Sequence, residues 1–195
     1  ATLIAVKSNS LTETPIGTFP IEIGTAVAVF FENQTNFIDV GTVKLNQSAL
    51  SKYDNNSYVF TPGLTEPTGL DLSGSISWEV AGNASFSGFS YTPTNTFPNV
   101  GNITSAGTVT KSDGYTISIA EISGADSILY QIGGVVKMQA GNIVNCQFTS
   151  AELSGLSNGT NVAQAAALNY KQETLDGKNV YFLKEAVSTK TVTIE

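Results

Sequence analysis

Ser127-Ile128-Leu129-Tyr130-Gln131-Ile132-Gly133-Gly134-Val135-Val136-Lys137-Met138 reads as two short strands joined by a glycine pair. Ile128, Tyr130 and Ile132 recur at period two, which lines one face of a β-strand. Two glycines between such runs allow the left-handed dihedrals of a two-residue hairpin turn. The pattern therefore predicts an antiparallel hairpin, and the same grammar extends outward in both directions.

Downstream, Ile143 to Phe148 is the next strand, and Ser150-Ala151-Glu152-Leu153 predicts one helical turn. Asp176-Gly177 marks a turn between two late strands, the second of which, Val187 to Ile194, is alternating and β-branched. Upstream, Tyr115-Thr116-Ile117-Ser118-Ile119 follows an Asp113-Gly114 turn. Residues 162–171 are alanine-rich, and propensity alone makes them helix. Period two instead puts Val162, Gln164, Ala166, Leu168 and Tyr170 on one face, with Ala163, Ala165 and Ala167 on the other. Those alanines are small enough to pack under a facing sheet, so the segment is read as a strand among strands.

The first half repeats the grammar. Ala26-Val27-Ala28-Val29-Phe30-Phe31 predicts a central strand within Ile21 to Glu32. Phe37 to Val40 and Thr42 to Leu45 flank Gly41, read as a bulge or kink. Asp54-Asn55-Asn56 is turn chemistry before Ser57-Tyr58-Val59-Phe60. A loop rich in proline and glycine follows Thr61, and Ser75 to Val80 forms a strand with Ile76, Trp78 and Val80 on one face. Residues 93–102 hold Pro93 and Pro98, which lack donors for regular pairing, and are the best linker candidate. Short strands, turn signals and the lack of long amphipathic helices predict an all-β fold of two antiparallel β-sandwich modules, 1–98 and 99–195.

Composition narrows the chemistry. The 195 residues include 9 basic and 16 acidic side chains, no histidine, and a net charge of −7; all nine basic residues are lysine. Without His there is no imidazole base, no Ser–His or Cys–His pair and no imidazole metal ligand. Without Arg there is no bidentate fork for phosphate or carboxylate. The negative charge opposes a phosphate backbone, so nucleic acid and anionic membrane are poor partners. Cys146, the single cysteine, falls in register with Val144 and Phe148, a buried small hydrophobe rather than a reactive thiol. No apolar run approaches the roughly 18 residues of a membrane helix. The chain is thus expected to be soluble, with any signal or anchor upstream of Ala1.

An enzyme would have to rely on carboxylates, as glycosidases do. Glu22, Glu32, Asp39 and Glu79 are the candidates by position, each expected to face water as an ordinary solvated strand residue. No nucleophile elbow or phosphate loop is present, so catalytic residues and cofactors are expected to be absent. Metal binding would need oxygen ligands and therefore calcium; Asp54 to Ser57 lacks the spaced carboxylates of a calcium loop, and no metal site is expected. Aromatic rings are the remaining recognition groups. Trp78 lies close before Phe86, Phe89, Tyr91 and Phe97, and sugar-binding sandwiches set such rings beside Asn, Asp or Gln. Trp78 sits on the apolar side of its strand, which favours the core; Tyr53, Tyr58 and Tyr91 lie nearer turns and are the better surface candidates.

Trp78-Glu79-Val80-Ala81-Gly82-Asn83, Phe89-Ser90-Tyr91 and Phe97-Pro98 resemble a pattern in surface lipoproteins of the Bacteroidetes type. So do Gly124 to Ile128, Phe148 to Leu156 and the closing Thr189 to Ile194. Leu153-Ser154-Gly155-Leu156 before Gly159 is similar to the turn preceding the sixth strand of fibronectin type III and other immunoglobulin-like modules. The likeness covers roughly residues 76–195. It implies an immunoglobulin-like second module and a secreted protein, lipid-anchored upstream, on the extracellular or outer-membrane surface of a bacterium. It carries over no functional residue. The expected function is a non-catalytic binding or adhesion module whose partner is a neutral polysaccharide or another surface protein. The alternatives are a structural spacer or assembly subunit and, third, a carboxylate-dependent glycosidase.

Overall fold

The computed structural model describes residues 1–14, 17–33 and 35–195, with the backbone alone for residues 10–14 and 17–20. Its regular secondary structure is almost entirely strand. In order these are β1 (Thr2–Thr14), β2 (Gly17–Val29), β3 (Val43–Leu45), β4 (Ser48–Ala49), β5 (Ser51–Lys52), β6 (Tyr58–Phe60), β7 (Trp78–Val80) and β8 (Phe89–Tyr91). Then come β9 (Asn99–Val100), β10 (Thr108–Val109), β11 (Tyr115–Ser118), β12 (Ile122–Ser123), β13 (Ser127–Ile132), β14 (Val135–Ala140) and β15 (Asn145–Phe148). The single-turn helix α1 (Ser150–Leu153) precedes the two longest strands, β16 (Gly159–Leu175) and β17 (Lys178–Ile194). Contacts group the chain into two compact units, one from residues 1–8, 22–95 and 170–184, the other from 9–21, 96–169 and 185–195. The chain passes from one unit to the other after residues 8, 21, 95, 169 and 184, so neither unit is one continuous segment.

In the first unit the strand order is β17-β1-β2-β6-β5, with the smaller sheet β4-β3-β7-β8 completing the sandwich. Its core draws Leu3, Ala5, Ala26 and Ala28 from the first two strands, Phe30 just after β2, and Leu45, Trp78 and Val80 from the smaller sheet. Alternation explains this: Ala26, Ala28 and Phe30 are fully buried, while Val27 and Val29 between them are half-exposed. β1 is an addition, since the alternation read from the sequence begins at Ile21. The expected strand at Phe37 to Val40 does not form as a ladder. Phe31 and Phe37 make one antiparallel bridge and Ile38 N–H donates to Phe30 O, but Val40 N–H donates to the Tyr58 hydroxyl instead of to a strand neighbour.

In the second unit β14-β13-β16-β17 forms one layer, β10 runs parallel to β17, and β11-β15 and β12-β9 are small antiparallel pairs. The hairpin read at 127–138 is present, with Gly133 and Gly134 both at positive φ, 54° and 90°. The alanine-rich segment is strand, and the register gives the reason. Ile128, Tyr130 and Ile132 lie opposite Ala167, Ala165 and Ala163, pairing each bulky side chain with a small one. All six are fully buried. Cys146, beside Ile117 in the β11–β15 pair, is buried in the same core, and burial pushes its thiol pKa up. The helical turn at Ser150 is closed by a capping box in which Thr149 and Glu152 bond each other's backbone N–H. The last two strands run 17 residues each, longer than their alternating segments alone indicate. Asp176 and Gly177 join them, both at positive φ.

Candidate functional site

Four of the five aromatic candidates are wholly or partly buried. Trp78 is fully buried in the first unit, flanked by Ile76 and Val80, so its ring is not available to a ligand. Tyr58, read as a surface residue, is also buried: it edges onto Phe30 at 5.9 Å, and its hydroxyl donates to Asp39 Oδ1 at 2.8 Å. Turn proximity misleads here because the register of β5 on β6 pairs Lys52 with Tyr58 and turns the ring inward. Tyr91 is half-buried, stacked on Phe182 at 4.7 Å, and its hydroxyl donates to Glu173 Oε1 at 2.7 Å. That bond raises the Tyr91 pKa and lowers that of Glu173. Phe97 is half-buried and belongs to the second unit.

Around Tyr58 the carboxylate candidate Asp39 is fully engaged. It accepts from Gly41 N at 2.8 Å and from Lys52 Nζ at 2.6 Å besides the Tyr58 hydroxyl. The Lys52 bond, then those of Gly41 and Tyr58, lower its pKa from 3.8 to about 2. Burial first, with Asp39 adjacent, pushes Tyr58 from 10 up to about 12. The cluster pins the 37–41 segment onto β6, and Lys52 is the member that sequence reading missed. Tyr58→Phe should cost about 1–3 kcal/mol in urea unfolding, because the buried Val40 N–H loses its acceptor.

The pKa shifts also set a pH window. A phenol raised in the folded state stabilises fully below pH 10 and loses that contribution as pH rises through about 12. Tyr130 in the second unit, raised to about 12 chiefly by burial, acts in the same direction. Asp39 has the opposite sign: its contribution is whole above pH 3.8 and is lost as pH falls through about 2. Stability against urea should therefore fall at both extremes. Tyr58→Phe should flatten the alkaline limb and Asp39→Asn the acid limb.

Tyr53 is the aromatic candidate left at the surface, 52% exposed. It lines a shallow concavity of about 390 Å³ together with Asp54, Asn55, Ser57 and Val59. The hairpin between β5 and β6 forms this site. Tyr53 N–H donates to Ser57 O at 2.8 Å, and Asn56 N–H donates to Tyr53 O at 2.9 Å. Asn55 Oδ1 accepts from both the backbone and the hydroxyl of Ser57. Asn56 takes the left-handed φ of 61° that asparagine tolerates. Tyr53, Asp54 and Asn55 are all exposed along this lining. This is an aromatic face beside polar groups that can bond hydroxyls. The signal was contiguous in sequence, since Tyr53 directly precedes the Asp-Asn-Asn turn.

Two further concavities in the first unit are differently built. One, about 240 Å³, lies between Phe86 and Lys178, whose ammonium stands 4.4 Å over the Phe86 ring. The other, about 400 Å³, lies on the β3–β7–β8 face, with Lys44 opposite Glu79 in register. Of the remaining carboxylates, Glu22 pairs with Lys7 at 3.3 Å and Glu32 is exposed. Among the described residues no group of three or more Asp, Glu or Cys side chains converges as a metal site, and no helix is long and apolar enough to cross a membrane. Compared with protein-family models, curated proteins and solved structures, the chain matches none.

Proposed function

We propose that the protein is a non-catalytic binding module on the outside of a bacterial cell, that its ligand is a neutral glycan, and that Tyr53 is the stacking contact. The exposed Tyr53 ring over its concavity, beside Asp54 and Asn55, carries this reading. The composition supports neutrality: lacking His and Arg, the chain offers rings, hydroxyls and amides rather than charged forks. A glycan-array screen followed by calorimetry tests it. Tyr53→Ala should weaken binding about tenfold or more while circular dichroism stays unchanged, since truncating an aromatic anchor costs more than about 1.4 kcal/mol. No binding to any polysaccharide class would sink the glycan reading.

A second reading, a structural spacer or assembly subunit, is favoured by one observation. Trp78 and Tyr58 are buried, so two of the five candidate rings serve the core rather than a ligand. A glycan-silent protein with intact folding is the outcome that selects it.

A further inference from the structure

We propose that β14 is a self-association edge, along which two copies of this chain pair antiparallel and join their sheets. β14 ends the order β14-β13-β16-β17, so among the described residues no strand covers its outer side. Its register on β13 runs from Ile132 opposite Val135 to Ser127 opposite Ala140. Beyond a two-residue turn the flanking pair exchanges both bonds, and bonded pairs then alternate. The bonded pairs are thus Ile132–Val135, Tyr130–Lys137 and Ile128–Gln139. Gly141 N–H donating to Asp126 O continues the series. It follows that the N–H and C=O groups of Val136, Met138 and Ala140 point away from β13, toward the open side.

Open edges are ordinarily guarded by an outward lysine, a proline, a bulge or brevity. β14 has six residues and no proline, and its register is unbroken. Its one charged residue, Lys137, is turned in: the ammonium lies 2.8 Å from Glu152, donates to Gln147 O at 2.8 Å and stands 5.2 Å from the centre of the Phe148 ring. The side chains left outside are apolar, Met138 at 64% and Val136 at 51% exposed. An edge so neutralised fits a neutral, apolar strand, and a second β14 is one.

Self-complementarity selects the register. With the two-fold axis at Met138, that residue meets its own copy, Val136 meets Ala140 of the second copy, and Lys137 stands opposite Gln139 of the second copy. About six ladder bonds form between the outward groups. Centring instead on Lys137 bonds only Val136 with Met138 of the second copy, about four ladder bonds, because Ala140 then falls opposite the turn residue Gly134. The longer ladder therefore points to the Met138 axis.

Sedimentation equilibrium over a concentration series up to about 0.1 mM, well above a micromolar Kd, provides the test. The expected result is a concentration-dependent dimer. Met138→Lys should weaken it tenfold or more with unchanged circular dichroism, and mixing Met138→Lys with Met138→Glu should restore a heterodimer. Hydrogen exchange on the unaltered protein needs no variant: the amides of Val136, Met138 and Ala140 should gain protection only as the dimer forms. A monomer throughout the series overturns the proposal. So does a dimer that leaves these amides exchanging freely or that Met138→Lys does not affect, and so does protection of this edge by a different protein alone.

Discussion

Gly24→Ala is expected to destabilise the first unit by about 4 kcal/mol, as two buried backbone bonds break and strand their groups. Gly24, in β2, donates its N–H to Thr68 O and accepts from Leu70 N–H, both at 2.9 Å. The two backbones lie so close that a Cβ on Gly24 would stand 2.0 Å from Leu70 O. Only a shift of the 68–70 segment relieves that, and it removes both bonds. It also lifts Leu70 and Leu72, both buried, from the core. Gly69 faces Gly24 with the same closeness and a φ of 72°, so Gly69→Ala should be comparably harmful. Gly74→Ala is the control, since nothing lies within 4 Å of its added methyl and it should be nearly neutral. Urea denaturation of the three variants, followed by Trp78 fluorescence, reads the difference. An alanine at position 24 that leaves the midpoint unchanged would contradict the packing described for this strand.

Trp78→Ala should cost about 3–5 kcal/mol, the range for emptying a large aromatic site in a packed core. The side chain is fully buried on β7, opposite Leu45 on one neighbour and Tyr91 on the other. Among the described residues its indole Nε1–H has no acceptor. An orphaned buried donor is itself a cost, so Trp78→Phe should be much milder than its lost volume implies. Far-ultraviolet circular dichroism in urea measures both, because the variants remove the only tryptophan. The pair also separates the two uses of a tryptophan. A core residue fails in stability with Ala and largely recovers with Phe, whereas a ligand platform would lose binding with its stability intact.

Much of the architecture was readable from local chemistry. The Gly133-Gly134 hairpin, the Asp176-Gly177 turn, the helical turn after Thr149 and the buried register of Cys146 each depend on a few adjacent residues. The alanine-rich strand is more instructive. Helix propensity pulled one way and context the other, and context prevailed because each alanine of one face meets a bulky β13 residue. The site was legible in part. Tyr53 and the turn beside it form one contiguous stretch, but Tyr58, five residues on and equally near the turn, went to the core.

By itself the sequence determined that this is an all-β protein of short alternating segments, poor in the side chains of acid–base and phosphate chemistry. Period-two alternation and turn residues act within a few positions, so they survive without knowledge of the fold. Only the tertiary structure decided which tyrosine is wet, which strand edge is left open, and that Gly24 must lie against Gly69 or Asp39 against Lys52. Those outcomes depend on registers between segments distant along the chain. Shifting a register by one residue exchanges the buried and exposed faces of a strand while leaving its local pattern unchanged.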